Sequence, residues 1–99
     1  MNIVIHPVRF DASTQLITFV NKKLEKLETF FDRIIEAEVF LKMDTKQNIK
    51  DKTVEIKLHV PGKTIFVCET SKTFEESTDM AVDTMSRQLK KQKERAKAY

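Results

Sequence analysis

Residues 53–67, TVEIKLHVPGKTIFV, decide the fold. Val54, Ile56, Leu58 and Val60 alternate with Thr53, Glu55, Lys57 and His59. Period-two alternation of this kind is a strand with one face on a core and one face outward. Pro61-Gly62 interrupts it. Pro fixes φ and Gly tolerates positive φ, so the pair predicts a tight turn. Lys63 to Thr70 then reads as the returning strand of a hairpin, with Ile65 and Val67 turned inward.

Working toward the N-terminus, Val39, Leu41 and Met43 alternate with Glu38, Phe40 and Lys42 and predict another strand. A polar connection, Thr45 to Asp51, joins it to the hairpin. Before it lies a helical stripe: Leu16, Val20, Leu24, Leu27, Phe31 and Ile34 are spaced by 4, 4, 3, 4 and 3 residues, the spacing of one buried helix face. Asp11 or Ser13 can cap this helix, which is predicted to run to about Ile34. Asn2 to Val8 alternates around Ile3 and Ile5 and predicts a first strand, with Pro7 suiting an edge or a strand end. Toward the C-terminus, Thr73-Phe74-Glu75-Glu76 has the form of a capping box. It opens a second helix with Ala81, Val82, Met85 and Leu89 inward.

The element order is therefore β-α-β-β-β-α, an α+β chain. A β-α-β start implies a right-handed crossover between two parallel strands, and the hairpins add antiparallel neighbours. One apolar face per element is satisfied by a four-stranded mixed sheet with both helices packed on one face, an architecture like that of double-stranded-RNA-binding domains. With no repeat and no linker, residues 1–99 read as a single domain. At 99 residues it can bury about 60–65% of its unfolded surface.

Charge is distributed unevenly. Residues 86–99 hold six of the 18 Lys+Arg and one of the 15 Asp+Glu, a net +5 that leaves −2 for residues 1–85. On the second helix Arg87, Lys91 and Arg95 stand at i, i+4 and i+8, and Lys90, Lys93 and Lys97 form the neighbouring column. Like charges stacked this way repel, so folding does not ask for them. A basic helix end also complements the helix dipole as a plain solvated face. Two columns of unpaired cations fit phosphate contacts better. Lys22, Lys23 and Lys26 add cations on the first helix. Glu25 and Glu28 lie among them, as in an ordinary salt-bridged surface. If the helices pack side by side, both groups flank one groove, as folded RNA requires.

The open sheet face should show Phe40, Phe66, His59 and Val4. These rings could stack on unpaired bases, or Phe40 and Phe66 could pair across strands. Catalytic chemistry has little support. His6, His59 and Cys68 lack metal-ligand spacing, and no HExxH, CxxC or phosphate-cradling Gly loop occurs. The acidic group Glu75, Glu76, Asp79 and Asp83 suits the start of a helix. No enzyme, no metal and no cofactor is predicted. One cysteine, no apolar run of membrane length and no secretory signal together predict a cytoplasmic protein.

The chain resembles the ribosome hibernation promoting factor family, which includes ribosome-associated inhibitor A (protein Y). The resemblance is carried by the element order, by the segment Val20-Asn21-Lys22-Lys23-Leu24-Glu25-Lys26-Leu27-Glu28 and by Thr73-Phe74-Glu75-Glu76-Ser77-Thr78-Asp79-Met80-Ala81-Val82-Asp83. Arg87-Gln88-Leu89-Lys90-Lys91-Gln92-Lys93 is similar to the family's basic signature. Two positions depart from the pattern. Ser77-Thr78 stands where a small residue and Ile are usual, and Glu75 replaces a common Tyr. Ending at Tyr99, the chain looks like the short form of the family.

The resemblance implies a partner, the small ribosomal subunit, and a position in its decoding channel that excludes messenger RNA and tRNA. By position it implies that Lys23, Lys26, Arg87, Lys91 and Lys93 face ribosomal RNA, with Lys22 and Lys90 beside them. The charge columns add Arg95. A generic binder of structured or double-stranded RNA is the alternative reading. A calmodulin-like target helix or membrane-surface helix is the third, though its stretch beyond Leu89 has no large apolar residue before Tyr99.

Overall fold

The computed structural model describes residues 1–43 and 51–97, with side chains as far as Gln92 in the last helix. Four strands, β1 (Asn2–Val8), β2 (Glu36–Met43), β3 (Lys52–Val60) and β4 (Lys63–Ser71), form one sheet in the order β1-β2-β3-β4. β1 runs parallel to β2 and the other neighbours are antiparallel. Two helices, α1 (Thr14–Glu25) and α2 (Phe74–Lys97), complete the β-α-β-β-β-α order. Of the polar connection expected at Thr45–Asp51, only Asp51 lies within the described residues.

The apolar periodicities become one core. Val54, Ile56, Leu58, Val60, Ile65 and Val67 from the hairpin pack with Val39 and Leu41 of β2. Leu16, Val20 and Leu24 of α1, and Ala81, Val82, Met85 and Leu89 of α2, close the same layer. Both helices thus cover one sheet face and leave the other open. Met43 departs from its expected inward role and is exposed at the end of β2.

The hairpin turn needs its glycine. Gly62 sits at φ +85, a conformation that costs an L-residue about 1–2 kcal/mol. An added Cβ would meet nothing within 4 Å. Gly62→Ala should therefore lower stability by about 1 kcal/mol through backbone strain alone, read as a lower urea midpoint with an unchanged m-value.

Helix α1 starts as read but ends early. Of the two candidate caps the chain uses Ser13, whose hydroxyl accepts from the Leu16 amide at 3.1 Å. After Glu25 the backbone tightens into a 3₁₀ turn, Lys26–Thr29. There Thr29 Oγ1 donates to the Lys26 carbonyl at 2.6 Å, and the Phe30 and Phe31 amides both reach the Leu27 carbonyl at 3.1 Å. A hydroxyl that competes for backbone carbonyls favours such an exit from α geometry. Ile34 is buried all the same, delivered by the connection to β2 rather than by the helix.

The start of α2 is half the expected box. Thr73 Oγ1 accepts from the Glu76 amide at 3.0 Å. The Thr73 amide donates to Ser71 Oγ at 3.4 Å, so a strand hydroxyl takes the place expected for the Glu76 carboxylate. Ser77 and Thr78 are fully buried and satisfied: Ser77 Oγ donates to the Lys52 carbonyl at 2.5 Å, and Thr78 Oγ1 to the Phe74 carbonyl at 2.7 Å. Arg9, at φ 64, turns the chain out of β1. Phe10, which follows it, stacks on Phe74 at 5.2 Å.

Candidate nucleic-acid interface

On α2 the residues Asp79, Asp83, Arg87 and Lys91 follow one another at intervals of four and so share one side of the helix. The first member of that column reaches the neighbouring helix: Lys23 Nζ lies 2.9 Å from Asp79 Oδ1. Further along, Lys90 Nζ sits 5.8 Å over the ring of Phe30, the residue that follows the 3₁₀ turn begun by Lys26. The segment carrying Lys23 and Lys26 therefore runs beside α2 between Asp79 and Lys90. Lys22 is exposed on α1, and Lys26 is exposed where the helix tightens.

Arg87, expected to be unpaired, is paired, and Lys23, expected to pair within its own helix, pairs elsewhere. Arg87 bonds Asp83 at 2.9 Å, one helical turn back, with both side chains about two-thirds exposed. Such a pair is screened by water and is worth about 0.2–1 kcal/mol. Lys23 is held more firmly, since only 28% of its side chain is exposed and it also lies 5.3 Å over Phe19. The salt-bridged surface read within α1 is not what forms. Glu28 turns to the Met1 ammonium at 3.3 Å, and Lys23 pairs across helices. Lys90 and Lys91 are exposed. Lys93 and Arg95 continue the helix backbone, their side chains lying beyond the described ones.

Along α2 the surface thus grades from acidic to basic. Glu75, Glu76, Asp79 and Asp83 precede Arg87, Lys90 and Lys91. The Asp83–Arg87 pair was legible as an i, i+4 spacing. The Lys23–Asp79 link carried no local signal, because it joins two helices.

The open sheet face is built differently from expectation. Phe40 and Phe66 lie on β2 and β4, which are not neighbours, so they do not pair. Phe40 stacks on His6 with ring centroids 4.9 Å apart. Lys57 Nζ sits 5.5 Å over Phe40, and Phe66, opposite Lys57 in register, is exposed. Beside them Glu38 lies between two histidines, 2.8 Å from His59 Nε2 and 3.7 Å from His6 Nε2. The hydrogen bond to His59 holds the Glu38 carboxyl below the usual carboxylate range, against the upward push of partial desolvation. Cys68 shares this face. Desolvation, then the carboxylates of Glu55 and Glu69, push its thiol up, which disfavours the thiolate a reactive cysteine needs.

A four-stranded mixed sheet with two helices on one face, the second of them rich in lysine and arginine toward its end, defines a small α+β protein. The chain belongs to the family described as Sigma 54 modulation protein / S30EA ribosomal protein, whose model matches residues 3–97. It is 32% identical over 99 residues to the ribosome hibernation promoting factor of Klebsiella oxytoca, covering all of this chain and 98% of that one. It is 35% identical over 89 residues to the factor of the same name from Escherichia coli K12, covering 90% of each chain. Among solved structures it resembles a ribosomal subunit interface protein from Coxiella burnetii, with TM-score 0.84, 25% identity and 94% and 98% of the two chains covered. The N-terminal domain of Thermus thermophilus Protein Y is also similar, at TM-score 0.79 and 28% identity, covering 92% of this chain and 98% of that one. Among the described residues, no helix is long and apolar enough to cross a membrane.

Proposed function

We propose that this chain is a ribosome hibernation factor acting in the cytoplasm. It binds the small ribosomal subunit in the decoding channel, excludes messenger RNA and tRNA, and so inhibits translation while preserving inactive ribosomes. The observation that carries this reading is the match, over nearly the whole length of both chains, to relatives named ribosome hibernation promoting factor. The mechanism is steric, with no bond made or broken and no cofactor. Lys22, Lys23, Lys26, Arg87, Lys90, Lys91, Lys93 and Arg95 supply the contacts to ribosomal RNA phosphates. About five such contacts would give a slope near −4 in log affinity against log salt.

The test is sedimentation of the purified protein with small subunits through sucrose gradients, with tRNA plus messenger as competitors. Displacement by the competitors supports channel occupancy. Equal binding to any A-form RNA duplex would instead point to a generic duplex binder.

The Lys23–Asp79 pair makes a further prediction. In the free protein Asp79 pairs with Lys23, so an incoming phosphate has to displace it. Asp79→Asn releases that lysine and removes a negative charge from the same surface. Small-subunit affinity should rise a few fold, the equivalent of the roughly 0.2–1 kcal/mol held in such a pair, as measured by titration at fixed salt.

A further inference from the structure

The sheet face turned away from the helices gathers donors that the proposed RNA contacts do not use. Glu36 and Glu38 stand on the same side of β2, and His59 of β3 is directly opposite Glu36 in register. One ligand atom from each of the three lies within 4.8 Å of the others. We propose that Glu36, Glu38 and His59, with His6 as a neighbouring fourth donor, form a binding site for a divalent transition-metal ion of the zinc type.

Donor chemistry supports this choice of ion. Imidazole nitrogen with carboxylate oxygen is a set that suits zinc, whereas magnesium and calcium prefer oxygen alone. Zinc holds such ligands at about 2.0–2.2 Å, hence roughly 3.5 Å from one another. Side chains already within 4.8 Å need close by only about 1 Å to reach that arrangement. They stand on paired strands, so the backbone is set before any ion arrives.

Neighbouring groups orient the donors as the outer partners of metal sites do. Thr64 Oγ1 lies 3.1 Å from His59 Nδ1. In the free protein Nε2–H donates to the Glu38 carboxylate at 2.8 Å; with the proton on Nδ1 instead, where the Thr64 hydroxyl can accept it, the Nε2 lone pair is free to take the ion in place of that hydrogen bond. Asn2 Nδ2 donates to Glu36 Oε1 at 3.0 Å, and Phe40 stacks on the His6 ring. Among the described residues no lysine or arginine forms an ion pair with Glu36 or Glu38. Lys57, opposite Glu38 in register, lies over Phe40 instead. Two converging carboxylates without a resident ammonium or guanidinium are what a dication would stabilise.

Isothermal titration of the full chain with zinc chloride tests the site. One zinc ion should bind, with binding lost in His59→Gln and Glu38→Gln and weakened about 10- to 100-fold in Thr64→Val, which removes an outer partner. Glu38 and His59 are partly exposed and Thr64 is exposed, so far-UV circular dichroism should be unchanged in all three variants. Cys68→Ser should bind as the parent does, and so should the double variant Arg87→Glu/Lys91→Glu, which separates this site from the RNA surface. Equal binding by parent and His59→Gln, loss in Cys68→Ser, or no zinc uptake by the parent each overturns the proposal.

Discussion

Reversing the charge at Arg87 and Lys91 together should abolish co-sedimentation with small ribosomal subunits. Both residues stand on one side of α2, one turn apart, so a partner that meets one meets the other. Each substitution removes a phosphate contact and sets a carboxylate against a phosphate, and like-charge juxtapositions of that kind cost several kcal/mol. Affinity should fall on the order of 10²–10³-fold, and the salt slope should flatten from about −4 toward −2.5 as two of about five contacts vanish. Folding should hardly notice. Arg87 gives up only an exposed pair with Asp83, worth under about 1 kcal/mol, so the melting temperature should move by no more than roughly 6 °C. Retained co-sedimentation would remove this surface from the mechanism, and a collapsed melting temperature would show that Arg87 or Lys91 serves the fold instead.

Leu24→Ala should produce the opposite pattern. Leu24 is completely buried where α1 meets the core, and truncating such a leucine costs about 2–5 kcal/mol through lost burial and a residual cavity. That is a large fraction of the roughly 5–15 kcal/mol that holds a small domain together. The urea midpoint should drop sharply with little change in m-value. At a temperature where the variant remains folded, small-subunit binding should persist, because Leu24 offers nothing to phosphate. Loss of binding by the folded variant would mean that the exact seat of α1 beside α2 governs the contact.

These two outcomes separate surface from core along a line that was already visible in the residues. Val54, Ile56, Leu58 and Val60 announced both their strand and its inward face, and every one of them is buried. The stripe Leu16, Val20, Leu24 is equally direct. The extension of that stripe through Leu27, Phe31 and Ile34 misled, since a chain leaving an α-helix by a 3₁₀ turn can still bury Leu27 and Ile34, and partly cover Phe31, without α-helical geometry. Met43 misled for a related reason, because alternation continues in sequence after the core has ended in space.

The cationic columns were legible as charge and spacing, yet their pairing was legible only in part. Asp83 and Arg87 are four residues apart, within the reach of helical periodicity. Lys23 and Asp79 meet because two helices share one sheet face. Glu38 and His59, 21 residues apart in the chain, meet because β2 and β3 pair in one particular register.

What the sequence by itself determined was the set of elements, their order, their buried faces, the surplus of positive charge at one end and the family. All of these are written in intervals of two to four residues, the range over which backbone geometry relates one side chain to the next. The claim of Asp79 on Lys23 and the gathering of Glu36, Glu38 and His59 belonged to the tertiary structure alone. They arise from how separate elements dock, and docking follows from the packing of the whole core rather than from any local spacing.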